Sequence, residues 1–152
     1  MGDVDAVRTI AIDTGLFGAN DWSGVEAIMA DSVQGELAEH AWIVLENDAS
    51  AVVGAAYYAP EPFSFHMWNL YFLGVLPACQ GDGTGGALVT HVEGVLRSRG
   101  ERVLIIETSG AAAFAATRDF YRKHYDEEAR IREFYGPGDD KIVFWKALYT
   151  TP

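Results

Sequence analysis

Four glycines crowd into seven residues, Gln80-Gly81-Asp82-Gly83-Thr84-Gly85-Gly86, between an apolar run and a stretch with helical spacing. A strand, a glycine loop and a helix in that order leave bare backbone N–H groups and a helix N-terminus facing outward, which suits an anion. Two readings of the anion compete. Gly81, Gly83 and Gly86 spell G-x-G-x-x-G, and Glu107 follows about 20 residues later, as a dinucleotide-binding unit requires. Alternatively, Gly81, Gly83 and Gly85 cradle the pyrophosphate of a different cofactor. In a dinucleotide fold the first glycine follows its strand at once and the unit opens the domain; here Leu76-Pro77-Ala78-Cys79-Gln80 intervenes, and only 66 residues follow Gly86. A Walker loop is excluded because no Lys-Ser or Lys-Thr follows the glycines. A plain tight turn is the remaining alternative.

The elements around the loop are read from periodicity. Val7–Thr14 alternates loosely, ends at Gly15, Gly18 and Asn20, and reads as a first strand. Trp22–Leu37 carries Val25, Ile28, Met29, Val33 and Leu37 at helical spacing, with Asp21 or Ser23 as its cap. Ala41–Leu45 and Ala51–Tyr58 read as strands around a turn, and Phe65–Val75 as a long apolar strand after a loop through Pro60 and Pro62. Gly83–Arg99 is a helix stopped by Gly100, Arg102–Thr108 a buried strand, and Ala111–Lys123 a second helix. Tyr125–Phe134 and Lys141–Leu148 close the chain around Gly136–Asp140. The fold class is therefore α/β with a central mixed sheet flanked by helices, antiparallel at its start and parallel in its middle, in one domain over residues 1–152.

Charge narrows the partners. Of 22 acidic and 11 basic residues, residues 1–96 hold 13 and 1, a balance of −12; residues 97–152 hold 9 and 10, or +1. That asymmetry disfavours nucleic acid, which needs clustered cations, and suits a cationic small molecule; an acidic, solubilising surface is the competing account. The single cysteine, Cys79, excludes an intrachain disulfide; its place is in packing, and the cytoplasm is the expected location. The longest apolar runs are too short to span a bilayer. His40, His66, His91 and His124 lack metal-ligand spacing, so no metal is expected.

The whole stretch from Val75 to Leu88, V-L-P-A-C-Q-G-D-G-T-G-G-A-L, resembles the acyl-CoA loop of the GNAT acyltransferase superfamily. Glu107-Thr108-Ser109 at a strand end, Phe120-Tyr121-Arg122-Lys123 at a helix end and the closing Phe134–Phe144 segment extend the likeness over about residues 41–148. The resemblance implies a GNAT fold and an N-acetyltransferase that passes an acetyl group from acetyl-CoA directly to an amine, with no metal and no acyl-enzyme. It implies that Leu73, Gly74 and Val75 bind the pantetheine arm, with the Val75 N–H on the thioester oxygen. Gln80, Gly81, Asp82, Gly83, Thr84, Gly85 and Gly86 would hold the diphosphate, with the Asp82 side chain turned to water.

By the same resemblance Tyr121 protonates the departing thiolate and Glu107 is the general base, against a structural role at a strand end; Glu61 is a rival base. Phe17, Phe65, Trp68 and Tyr71 would line the acceptor pocket. Arg118, Arg122 and Lys123 lie on a helix face that is either solvated or near the nucleotide. The acceptor is expected to be a small-molecule amine, cationic in keeping with the charge asymmetry, with a protein amine as a second class, and the chain to be a monomer or homodimer. The competing functions are a non-catalytic acyl-CoA-binding module and a nicotinamide-dependent oxidoreductase.

Overall fold

The computed structural model describes residues 2–16, 22–35 and 39–150. The chain packs as two compact units, Met1–Ala59 with Tyr71–Gly94, and Pro60–Leu70 with Val95–Pro152. The six strands among the described residues form one mixed sheet: β1 (Ala41–Glu46), β2 (Val52–Pro60), β3 (Met67–Val75), β4 (Val103–Ser109), β5 (Asp126–Gly136) and β6 (Asp139–Ala147), in the order β1-β2-β3-β4-β6-β5. The α-helices among the described residues are α1 (Gly2–Asp13), α2 (Trp22–Val33), α3 (Thr84–Ser98) and α4 (Ala115–Arg122).

The first unit is built on β1 and β2, paired antiparallel from Ala41↔Tyr58 to Glu46↔Val52. Its core joins Val7, Ile10 and Ala11 of α1 to Trp22 and Met29 of α2, Ala55, Tyr57 and Ala59 of β2, and Phe72 of β3. Here the sequence expectation fails: the segment expected as a strand over Val7–Thr14 is helix through Asp13. Its buried residues Val7, Ile10 and Ala11 stand at i, i+3 and i+4, a helical stripe, while Ile12 just after them is exposed. Asp3 and Asp5 in the first turn favour the helix N-terminus. Trp22–Leu37 is helical only to Val33; the cap candidate Asp21, the stripe residue Leu37 and the pocket candidate Phe17 lie outside the described residues.

Glycine permits close packing at two places in this unit. A Cβ on Gly54 would stand 2.9 Å from a Leu88 methyl and 3.0 Å from the Thr84 methyl, so the missing side chain lets these two residues of α3 pack closely on β2. A Cβ on Gly74 would meet Ile10 of α1 at 2.6 Å.

In the second unit β3 pairs parallel with β4 from Met67↔Val103 to Leu70↔Ile106. β6 then pairs antiparallel with β4 from Val103↔Ala147 to Ser109↔Lys141. β5 hangs on β6 alone; its residues are exposed, and its charges (Asp126, Glu127, Glu128, Arg130, Arg132, Glu133) discourage pairing at the sheet edge. The expected helix 111–123 divides into a short turn, Ala112–Phe114, and α4. Leu104, Ile106, Ile142 and Phe144 are fully buried, and the Tyr121 ring packs against Phe144. No helix among the described residues is long and apolar enough to cross a membrane.

Candidate functional site

The glycine loop takes the form its residues require. Gly81 (φ +84) and Gly83 (φ +93) lie in the left-handed region, where a Cβ is strained, and a Cβ at either would meet nothing within 4 Å. Gly86 is equally open although it sits in the first turn of α3. A helical glycine costs about 1 kcal/mol relative to alanine, and no neighbouring atom repays that here, so the surface at Gly86 stands open to close approach. Ala87 N–H donates to the Gly83 carbonyl at 2.9 Å, which makes Gly83 the N-cap. The N–H groups of Gly85 and Gly86, in the first turn, have no intrahelical acceptor. A diphosphate fits such a surface.

Asp82 is exposed, as the sequence suggested, but its carboxylate is engaged. Oδ1 accepts from the Thr84 hydroxyl at 2.6 Å and from the Thr84 N–H at 3.0 Å. The hydroxyl bond first, then the amide bond, hold the carboxyl below the usual aspartate range. Asp82 thus occupies one of the helix-terminal donors. Gln80 is placed differently: its Nε2 donates to the Val75 carbonyl at 3.1 Å, bracing the end of β3. Leu76 N–H donates to the Val53 carbonyl at 2.9 Å and ties the same strand end to β2.

The second unit carries the candidate acid and base. Tyr121 on α4 is 4% exposed, its ring 5.5 Å from Phe144 and edge-on to Phe120 and Tyr125. Burial pushes its phenol above the ordinary tyrosine value, so it remains a protonated donor throughout the neutral range. Arg118, one turn earlier, donates to the carbonyls of Ser109 (2.7 Å) and Ala111 (2.8 Å) and pins the β4–α4 connection. It therefore serves the fold rather than a bare solvated face.

Glu107 on β4 is paired with Lys141 of β6, Nζ to Oε2 at 3.0 Å. The same ammonium stands 3.6 Å above the Phe134 ring. Tyr135 is pushed up to about 12, by burial first and then by the charges of Glu107 and Asp139. Lys141 escaped the sequence reading because it stands 34 residues from its partner, opposite Ser109 in the β4–β6 register. Only that register shows it one diagonal step from Glu107.

The pocket candidates differ in exposure. Phe65 is 71% exposed and precedes β3 rather than belonging to it, with the Arg102 guanidinium 5.5 Å from its ring. Trp68 is buried, with Arg99 at 5.8 Å from its ring. Tyr71 is 41% exposed and 5.7 Å from Tyr57, which itself stacks on Trp42 at 4.5 Å and hydrogen-bonds His40 through its hydroxyl. Glu61 accepts from Asn69 Nδ2 at 3.1 Å. Among the described residues no group of three or more His, Cys, Asp or Glu side chains is placed to hold a metal ion.

With this geometry in place the comparisons are specific. The acetyltransferase (GNAT) family profile matches residues 13–125. A Desulfovibrio desulfuricans protein assigned to the GNAT acetyltransferases is 31% identical, with a TM-score of 0.88 over 97% of this chain and 93% of that one. The ribosomal-protein-S18-alanine N-acetyltransferase of Escherichia coli shares the fold at 23% identity, TM-score 0.74, over 99% and 90% of the two chains. An aminoglycoside 6'-N-acetyltransferase complexed with coenzyme A does so at 18% identity, TM-score 0.73, over 99% and 92%. No curated protein sequence matches. The chain belongs to the GNAT acetyltransferase family, and its six-stranded mixed sheet is the fold of that family.

Proposed function

We propose that the protein transfers the acetyl group of acetyl-CoA directly to a primary amine of a small, cationic molecule. The observation that carries the reading is the loop at the head of α3, with left-handed Gly81 and Gly83, open space at Gly86 and first-turn N–H groups, in a chain of acetyltransferase family. Backbone N–H groups of Gly81 to Gly86 would bind the diphosphate, and Leu73, Gly74 and Val75 the pantetheine arm, with Val75 N–H polarising the thioester carbonyl.

The amine nitrogen bonds to the thioester carbon and the carbon–sulfur bond breaks. Glu107 takes the first proton from the ammonium, Tyr121 gives its proton to the sulfur, and the second proton shed by the nitrogen as the amide forms restores the Tyr121 phenol. With one Glu107 oxygen held by Lys141, the other is the one offered to the acceptor. Phe65 and Tyr71, the exposed aromatics among the pocket candidates, would meet the acceptor's apolar part; Trp68 and Phe17 remain weaker members of that set.

The acidic residues 1–96 support a cationic acceptor over an anionic one. A thiol-release assay with acetyl-CoA against polyamines, amino acids, aminoglycosides and basic peptides tests the reading. Release with a small amine is expected, and silence across the panel overturns it.

Asp82 supplies a second check, because its carboxylate shares the helix terminus proposed for the diphosphate. Asp82→Ala is expected to tighten coenzyme A binding roughly threefold to tenfold, the size of a single-charge effect at a helix end. The same change should destabilise the protein at neutral pH. The folded carboxyl lies below its unfolded value, so its contribution is present above about pH 4 and vanishes as pH falls through the folded value. Calorimetry with coenzyme A and melting curves across that window measure both effects.

A further inference from the structure

Asn69 sits in the middle of β3, fully buried, beside Ile105 of β4 in the parallel ladder. Its amide is oriented without ambiguity: a carboxylate only accepts, so the end facing Glu61 Oε2 at 3.1 Å is the Nδ2 donor. The carbonyl oxygen Oδ1 is then left buried with no partner among the described residues. An orphaned buried acceptor of this kind costs about 1–3 kcal/mol, and a polar residue in an apolar strand that bears such a cost calls for a donor supplied from outside the chain.

The surroundings define that donor. Aligned residues of a parallel pair share a face, so Asn69 points to the side of Ile105 and, two residues on, Glu107. Glu107 therefore stands about 7 Å further along the same face. Trp68, next to Asn69, points to the opposite side. Glu61 brings a carboxylate to the Asn69 amide, and a neutral carbonyl beside a carboxylate is complementary to a cationic N–H donor.

We propose that Asn69 Oδ1 and the Glu61 carboxylate form the far end of the acceptor site, holding the second, charged nitrogen of a diamine whose first nitrogen is acetylated beside Glu107. This rests on the acetyl-transfer reading and sharpens it to a substrate class. Asn69 is a specificity-determining residue, not a member of the reacting set.

The test compares cadaverine with pentylamine, equal in carbon chain and differing in the second nitrogen. Each is titrated calorimetrically into the protein saturated with coenzyme A and again into the free protein, and each is assayed for turnover. The native protein is expected to bind the diamine about tenfold more tightly, with the same sense in kcat/KM. Asn69→Leu and, separately, Glu61→Gln should bring the ratio close to one. The second variant alters a partly exposed side chain, so it answers even if the first does not fold. Equal affinity of the native protein for both amines, the result if water fills the site, overturns the proposal, as does a preference that survives in both variants. Absence of transfer to any amine would sink the acetyl-transfer reading, while the titrations on the free protein still decide whether the second nitrogen is recognised.

Discussion

Tyr121→Phe is expected to lower kcat by roughly a hundredfold to ten-thousandfold, the range for loss of a positioned acid, while acetyl-CoA affinity changes by about twofold or less. The substitution keeps the ring, and with it the packing against Phe144, Phe120 and Tyr125. Only the hydroxyl is removed, so a fall in kcat without a fall in affinity isolates the chemical role. Turnover by the variant equal to that of the native protein at every pH would eliminate Tyr121 as the acid. A second readout follows from linkage. The folded phenol is raised above its unfolded value of about 10, so its contribution to stability is whole below that pH and is lost as pH rises through the folded value. The phenylalanine variant should lose less stability than the native protein on crossing into that alkaline range, as melting curves would show.

The parts of this protein that were legible in its sequence are those fixed by local rules. The loop from Gln80 to Gly86 declares itself because left-handed backbone at Gly81 and Gly83 demands glycine whatever the rest of the chain does. α3 is readable because Leu88, Val92 and Leu96 repeat at helical spacing and all three are buried. α1 misled because β-branched residues crowd Val7–Ile12 and the alternation they suggest is accidental; packing against β2 and Phe72 selects the helix.

The site was legible only as types of residue. Asp82 looked like a repulsive charge turned to water, whereas Thr84 gives it two hydrogen bonds. Asn69 passed unremarked inside a strand read as apolar, and its orphaned carbonyl depends on where Glu61 comes to rest, eight positions away. Lys141 read as one more residue of a closing strand. Its meaning is set by a register between strands far apart in the chain, which no local pattern encodes.

That register leads to the second large effect. Lys141 and Glu107 retain 11% and 21% of their side-chain exposure, and the Phe134 ring covers the ammonium. Lys141→Met leaves the Glu107 carboxylate without its partner, and the expected cost is about 3 kcal/mol, at the low end for breaking a buried pair because water still reaches both ends. For a chain of this length that is a fall in Tm on the order of 10 °C. Glu107→Gln removes the charge from the other side and should cost a similar amount, leaving the ammonium uncompensated. The double variant should then be more stable than the two single losses sum to, since neither charge remains; the excess is the coupling energy of the pair.

Activity separates the two groups where stability does not. If Glu107 accepts the ammonium proton, Glu107→Gln loses about a hundredfold in kcat. Lys141→Met, which keeps the carboxylate and loses only its orientation, retains more activity than Glu107→Gln when both are assayed well below their melting temperatures. Equal activity of Glu107→Gln and the native protein would reduce the pair to a structural tie between β4 and β6 and transfer the search for the base to the Glu61 side of the same sheet face.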